Sequence, residues 1–142
     1  MPSRSEFPKY PVPAVGAVVF RGDAVLLVKR GSEPNKGRWS VPGGGLEVGE
    51  TVEVGVVREV REETGVQVRA MRVIEVRDYI EMDGDRARWH YVLIDVLCEY
   101  IAGEPFPASD ADHARFLPLR ELGEYDIAST ALEVVRAAAA KR

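Results

Sequence analysis

The feature that most constrains this chain is a run of three glycines, Gly43–Gly45, followed closely by the valine-rich segment Thr51–Thr64. Three of the valines recur at every fourth position: Val52, Val56 and Val60. Valine and the central Gly55 are poor helix formers, so propensity alone would allow a strand. The fourfold spacing nevertheless gives one apolar helix face, and Gly65 stands where a helix C-cap falls. The sequence therefore predicts a glycine-rich loop that leads into a helix.

The predicted helix carries three carboxylates, Glu59, Glu62 and Glu63, whose spacing places them on one face. Like charges at this spacing repel by about 0.2–0.5 kcal/mol per pair. They also lie in the C-terminal half of the helix, where the helix dipole disfavours anions. A solvated charged face is one interpretation, with Arg58 and Arg61 offsetting part of the repulsion. A bound Mg²⁺, Mn²⁺ or Ca²⁺ is the other, because these cations take clustered oxygen ligands.

The glycine-rich loop is the second candidate for ligand binding. Backbone N–H groups in such a loop, just before a helix, can closely approach an anion. The spacing from Gly44 to Gly49 matches the start of a Walker-A loop, but Glu50 and Thr51 stand where that motif needs Lys and then Ser or Thr. This departure excludes a P-loop and leaves either a different phosphate site or a turn without a ligand.

Composition restricts the class of protein further. The 142 residues suit one domain, 1–142, with residues 1–12 as a loose N-terminal leader. A net charge of −4 disfavours a nucleic-acid polymer or an anionic membrane as partner, while small nucleotides remain possible ligands. One cysteine, Cys98, excludes an internal disulfide framework. No secretory or membrane-spanning apolar run is present, so we expect a cytoplasmic protein, and a homodimer is left open.

The remaining sequence predicts strands around the helix and a second helix near the C-terminus, a mixed α and β chain. The predicted strands are Val15–Phe20 and Ala24–Val28, joined by a hairpin, one or two strands over Val66–Tyr79, and a long strand Ala87–Tyr100. The C-terminal helix is predicted over Ser129–Lys141, with Ser129 as its cap. Asp95, among apolar neighbours in the long strand, is expected to be hydrogen-bonded inside the sheet.

The loop and the acidic helix together match the Nudix box. The match runs from Gly44 through five residues to Glu50, and through seven more to the segment Arg58–Val66, which reads REVREETGV. It covers 23 residues, about a sixth of the chain, and agrees at every defined position. The chain therefore resembles the Nudix (MutT-like) hydrolases, and its general shape is similar to their short ADP-ribose pyrophosphatase-like branch.

This resemblance implies an α/β/α sandwich around a mixed sheet, with the box as a loop–helix–loop. It also implies a hydrolase that uses Mg²⁺ or Mn²⁺ to cleave a nucleoside diphosphate linked to another moiety, and ADP-ribose or a similar nucleotide sugar is the expected substrate. The proline typical of that branch is missing from Asp78–Met82. Hydrolysis of normal or oxidised nucleoside triphosphates, a non-catalytic nucleotide-sensing domain and a cation-binding structural domain are the alternatives.

The resemblance also assigns roles to residues of the box. Glu59, Glu62 and Glu63, with the backbone carbonyl of Gly43, are the implied metal ligands. The implied catalytic residues are Glu59, Glu62 and Arg58, of which Arg58 orients the glutamates. Glu50 is expected to support the loop and to have a secondary role at the metal.

Outside the helix, the expected substrate-binding residues are Trp39, Gly44 and Gly45. Trp39 could stack on a base or close the core. Relatives often place a further glutamate before the last strand, where this chain has His113. Asp110 and Asp112 are the candidates for that extra base or ligand, and otherwise the general base lies in the box.

Overall fold

The computed structural model describes residues 6–106 and 111–142. Its strands are β1 (Val12–Arg21), β2 (Ala24–Arg30), β3 (Trp39–Ser40), β4 (Gly43–Gly45), β5 (Gln67–Asp83), β6 (Arg86–Ala102) and β7 (Ala111–Pro118). The helices are α1 (Val52–Thr64) and α2 (Ser129–Ala140), with a 3₁₀ helix at Leu119–Glu124. The predicted mixture of strands and two helices is confirmed, and the segment predicted as one or two strands forms the single strand β5.

Strand β1 is the centre of a seven-stranded mixed sheet whose main order is β3-β2-β1-β6-β5. One edge of β1 runs parallel to β6 from Val12 to Phe20. Its other edge pairs antiparallel first with β4 and then, at the predicted hairpin, with β2. Strand β7 pairs with β2. This division of one strand edge between two partners places the glycines of β4 directly beside β1.

The two helices cover opposite faces of the sheet, because the side chains of β1 alternate between two apolar clusters. Val15, Ala17 and Val19 pack with Val56 and Val60 of α1. The other cluster joins Val18 and Phe20 to one side of α2. The α2 residues in that cluster are Ala131, Val134, Val135 and Ala138. The α/β/α sandwich implied by the sequence is confirmed.

Helix α1 forms despite its valines because both ends are capped. The Thr51 hydroxyl accepts a hydrogen bond from the Val54 N–H at 3.1 Å, and Gly65 ends the helix with a φ of 79°. The central Gly55 is explained by packing. A Cβ at this position would lie 2.5 Å from Leu46 Cδ2 and 2.9 Å from Glu50 Oε1. Glycine here lets the preceding loop lie directly against the helix.

The start of α2 differs from the prediction. Ser129 is the first helical residue, and Ala128 holds the N-cap position without a side-chain hydrogen bond. Backbone bonds fix this entry, since Trp39 N–H donates to Asp126 O and Ala128 N–H donates to Trp39 O, both at 2.9 Å. The predicted cap at Ser129 is wrong because pairing with β3, which a local sequence pattern does not show, decides where the helix begins.

Part of the predicted loose leader is tied to the sheet. Phe7 N–H donates to Arg88 O at 2.7 Å, and the Glu6 carboxylate accepts from Arg88 Nε at 2.6 Å. The Arg86 guanidinium lies 4.0 Å from the centre of the Phe7 ring. Glu6 and Phe7 therefore lie against β6. Over the described part of the chain, no helix is both long and apolar enough to span a bilayer.

We predict that Gly55→Ala lowers the free energy of unfolding by about 1–3 kcal/mol, because the new methyl group collides with Leu46 and Glu50. Helix propensity alone would raise stability by about 1 kcal/mol. Val54→Ala is the matched control, since Val54 is 59% exposed, and we expect a change within about 0.5 kcal/mol. Urea unfolding followed by circular dichroism measures both, and a stabilised Gly55→Ala variant contradicts the packing explanation.

Candidate active site

The glycines of β4 are required by close contacts on both sides of their backbone. A side chain on Gly43 would collide with the backbone carbonyl of Val15 in β1. A side chain on Gly44 would meet the Glu59 carboxylate, with a Cβ only 2.7 Å from its Oε2. The glycine-rich loop therefore serves to bring the α1 carboxylates directly against the edge of the sheet.

Glu63 is the most buried of the box carboxylates, with 7% of the residue exposed. Its Oε1 accepts a hydrogen bond from the Gly43 N–H at 3.1 Å. Burial raises the pKa of Glu63, and the neighbouring Glu59 carboxylate raises it further. The glycine loop was predicted to approach an anion, and the acidic group that it contacts here is the Glu63 carboxyl group of the helix itself.

Arg58 connects the loop to the acidic helix face through all three of its guanidinium nitrogens. Its Nε donates to Glu50 Oε2 at 2.5 Å, and its Nη1 donates to Glu59 at 2.8 Å and to Glu62 at 3.2 Å. Its Nη2 donates to Glu50 Oε1 at 2.8 Å and to the Gly45 carbonyl at 3.2 Å. These bonds, above all those to Glu50, raise the pKa of Arg58. Arg58 therefore contacts both Glu59 and Glu62, and its role in orienting them stays a prediction.

Glu50 holds the loop in place from the other side. Beyond its two bonds with Arg58, Glu50 Oε1 accepts from the Glu47 N–H at 3.0 Å. The Arg58 guanidinium, helped by this backbone donor, lowers the pKa of Glu50 to about 2. Glu50 is therefore ionised at neutral pH, and its contacts are those of a loop-supporting residue.

The donor chemistry of this region fits a hard divalent cation. Glu59 and Glu63 lie together under the glycines, while the Glu62 side chain is 49% exposed. Arg58 bridges Glu59 and Glu62, and within residues 6–106 and 111–142 no three Asp, Glu, His or Cys side chains converge as a ready-made metal site. The pair, of which Glu63 is buried and Glu59 partly exposed, supplies only oxygen, and oxygen ligands suit Mg²⁺ or Mn²⁺ better than a softer metal. The ligand set itself stays a prediction.

A cleft opens on the side of the sheet that carries α2, and the glycines of β4 lie between it and the carboxylates of α1. Gly43 and Gly44 form one border, and the loop residues Pro34 and Asn35 form another. Gly44 thus touches both the cleft and the Glu59 carboxylate. Its position supports the prediction that the glycines contact a substrate. Gly45 contributes its carbonyl to Arg58 instead.

Of the two alternatives left open for Trp39, burial supports packing. The residue is 7% exposed and belongs to the core under α2. Its ring stacks on His113 with centroids 6.2 Å apart and meets Tyr125 edge-on at 5.9 Å. Asp110 and the side chain of Asp112 lie outside the described residues, so their predicted role as an extra base or ligand stays a prediction.

Arg77, which no sequence pattern singled out, lines the cleft together with Asp95. Asp95 is 1% exposed, and its carboxylate accepts from Arg77 Nε at 2.7 Å, which confirms the expectation of a hydrogen bond inside the sheet. The available signal was Asp95 itself, since a carboxylate in an apolar strand needs a donor nearby. Only the pairing of β5 with β6 identifies that donor.

Comparisons with known proteins agree with this fold and site. The model of the NUDIX domain matches residues 10–138. The chain is 38% identical over 113 residues to an ADP-ribose pyrophosphatase of Methanocaldococcus jannaschii, covering 80% of this chain and 65% of that protein. It is 32% identical over 111 residues to the putative ADP-ribose pyrophosphatase YjhB of Bacillus subtilis, covering 77% and 52%. The chain thus spans about half to two thirds of the length of these relatives.

Among solved structures, the chain is similar to a MutT Nudix hydrolase from Burkholderia pseudomallei. The TM-score is 0.79 at 27% identity, with 91% of this chain and 98% of that chain covered. A sandwich of this topology, with a glycine loop and an acidic helix at its edge, is a Nudix fold. With the domain model matching nearly its whole length, the chain belongs to the Nudix family.

We predict that Glu50→Gln lowers the free energy of unfolding at pH 7 by about 1–3 kcal/mol, because it leaves Arg58 without its main partner. The folded-state pKa of Glu50 is depressed, so its contribution is complete above the unfolded pKa and is lost as pH falls toward 2. The difference from the wild type should therefore shrink between pH 5 and pH 2 in urea unfolding.

Glu47→Gln is the control for this prediction. The Glu47 side chain is 66% exposed and its carboxylate is 3.7 Å from Arg58, beyond hydrogen-bond distance. We expect little change in stability at any pH. Equal effects of the two substitutions would show that Glu50 does not have the structural role described for it.

Proposed function

We propose that the chain is a divalent-metal-dependent hydrolase of the phosphoanhydride bond in a nucleoside diphosphate linked to another moiety. The observation that carries this proposal is the position of Gly44, which borders the cleft and also lies directly against the Glu59 carboxylate. A ligand in the cleft thus has its anionic part within reach of the acidic helix. Without a cation, carboxylates at that position would repel phosphates.

Glu59 and Glu63 would hold the cation, with Glu62 and the Gly43 carbonyl as the further ligands. When bound, Mg²⁺ or Mn²⁺ neutralises the diphosphate and lowers the pKa of an attacking water. The chain's own contribution is positioning. Arg58 orients Glu59 and Glu62 through hydrogen bonds, and Glu50 holds Arg58. Glu59, or a carboxylate of the Asp110–Asp112 segment, is proposed to accept the proton of the water.

ADP-ribose, or a similar nucleotide sugar, is the proposed substrate. Support comes from two relatives, one named ADP-ribose pyrophosphatase and the other putative ADP-ribose pyrophosphatase, which align over more than three quarters of this chain. The complete set of box residues favours turnover over nucleotide sensing alone. The missing proline in Asp78–Met82 keeps nucleoside triphosphates, including oxidised ones, as the second substrate class to test.

We predict that hydrolysis requires added divalent metal. The purified chain is assayed for released phosphate, pyrophosphate and nucleoside monophosphate on ADP-ribose, nucleotide sugars and normal and oxidised nucleoside triphosphates. EDTA is expected to abolish turnover, and Mg²⁺ or Mn²⁺ to restore it. Full activity in metal-free buffer contradicts the metal requirement. Binding without turnover of any compound, with either metal, would instead identify a sensing domain.

We predict that Glu59→Gln and Glu63→Gln each lower kcat by at least about 10²-fold, the scale of losing one transition-state electrostatic contact. Glu63→Gln should not lower stability, because a neutral amide avoids the cost of burying a carboxylate and retains an acceptor for the Gly43 N–H. Steady-state kinetics and urea unfolding measure the two effects. Glu53→Gln, at an exposed position in the first turn of α1, is the matched control.

Retention of near-wild-type rates by both variants, with metal still required, would place the metal site elsewhere. Loss of rate together with loss of stability in Glu63→Gln would indicate that Glu63 is mainly structural.

A further inference from the structure

Arg77 is fixed at one wall of the cleft by contacts to three elements. Its Nε donates to Asp95 Oδ2 on β6 at 2.7 Å, and its Nη1 donates to the Thr130 carbonyl at the start of α2 at 2.8 Å. Glu75, on the same strand, lies 3.5 Å from Nε. A long side chain held at two nitrogens has already lost most of its rotamer freedom, so binding a ligand costs it little further entropy.

Asp95 is itself held firmly. Its Oδ1 lies so close to the backbone of Gly16 that a Cβ there would come within 2.8 Å. Burial raises the pKa of Asp95, and the hydrogen bond from Arg77 opposes that rise. The negative charge of the buried Asp95 carboxylate is therefore balanced by the Arg77 guanidinium. Within the described residues, no protein group accepts a hydrogen bond from Arg77 Nη2.

The surroundings of Arg77 favour a neutral ligand group over a phosphate. Asp95 balances the guanidinium charge, and Glu75 adds a second carboxylate nearby, so a further anion gains little here. Tyr79, two residues along β5 from Arg77, and Leu93, which pairs with Arg77 on β6, line the cleft beside it. A fixed N–H donor next to an aromatic ring matches a nucleobase, which offers ring nitrogens or carbonyls at its edge and a flat apolar face.

We propose that Arg77 is a specificity-determining residue, whose Nη2 donates to an acceptor atom of the substrate's nucleobase while Tyr79 contacts the face of that base. Asp95 is then a positioning residue, which acts through Arg77 and does not touch the substrate. This inference rests on the proposed function, because it assumes that the ligand of the cleft is a nucleotide. Beyond the proposed function, it states that the Arg77 side of the cleft recognises the nucleobase of that nucleotide.

The test compares substrates with and without a base. Wild type, Arg77→Met and Arg77→Lys are assayed on ADP-ribose and on bis(5-ribosyl) diphosphate, in which the adenine is absent. Both variants should raise KM for ADP-ribose about 10-fold to 100-fold with little change in kcat. The KM for the base-free compound should stay within about 2-fold of the wild-type value. Arg77→Lys retains a cation beside Asp95 and so guards against a folding defect. Arg69→Met, on the exposed part of β5, is the matched control.

Deaza analogues of ADP-ribose, each lacking one ring nitrogen of adenine, identify the acceptor. With the wild type, kcat/KM for one analogue should be about 10-fold lower than for ADP-ribose. With Arg77→Met, that analogue and ADP-ribose should have the same kcat/KM. Asp95→Asn should weaken the same selectivity less than Arg77→Met does, because the amide oxygen still accepts from Arg77. Equal losses on both substrates, or no analogue coupled to Arg77, would overturn the proposal.

A binding experiment separates this proposal from the proposed function. Titration calorimetry compares AMP with ribose 5-phosphate, and needs no turnover. If the wild type hydrolyses nothing but prefers AMP, and Arg77→Met removes that preference, the nucleobase role stands while the hydrolase proposal fails. If the wild type turns over ADP-ribose but shows no preference for AMP, or if Arg77→Met weakens both ligands equally, the assignment of Arg77 is wrong.

Discussion

The arrangement of the candidate site depends on one cation, Arg58, surrounded by carboxylates. Its guanidinium joins Glu50 of the loop to Glu59 and Glu62 of the helix and also reaches the Gly45 carbonyl. Without it, the acidic face of α1 would repel itself at the end of the helix where the dipole also opposes negative charge. A planar group with several donors in fixed directions can make all these contacts at once, which a lysine could not.

Glycine has a second role in this site besides turn formation. Gly43, Gly44 and Gly55 are placed where a side chain would collide with the β1 backbone, the Glu59 carboxylate, or the Leu46 and Glu50 side chains. Their absence of side chains lets strand, loop and helix approach until backbone N–H groups touch carboxylates. Glycine weakens helices and strands, and the segment is nevertheless rich in it. The close approach of strand, loop and helix explains this better than a need for backbone flexibility does.

The features that could be predicted from the sequence are those that depend on residues close together along the chain. The extent of α1 and its cap at Gly65 follow from spacing and capping, and the face shared by Glu59 and Glu63 follows from helix geometry. Features that depend on distant pairing were missed or left open. The start of α2 is decided by bonds to Trp39, and the contact of Arg77 with Asp95 by the register of two strands. No local pattern encodes either partner.

The two pairings of β6 differ greatly in the length of chain that they enclose. Its hairpin with β5 closes around Asp83 and Arg86, whereas its parallel contact with β1 joins Val12 to Tyr91, 79 residues apart. Long-range pairing is the slow part of folding because it closes a large loop before contacts compensate the entropy. The acidic helix lies inside that loop. During synthesis the helix leaves the ribosome before β6. Its carboxylates can therefore reach their final positions only after β6 has been made and has paired with β1.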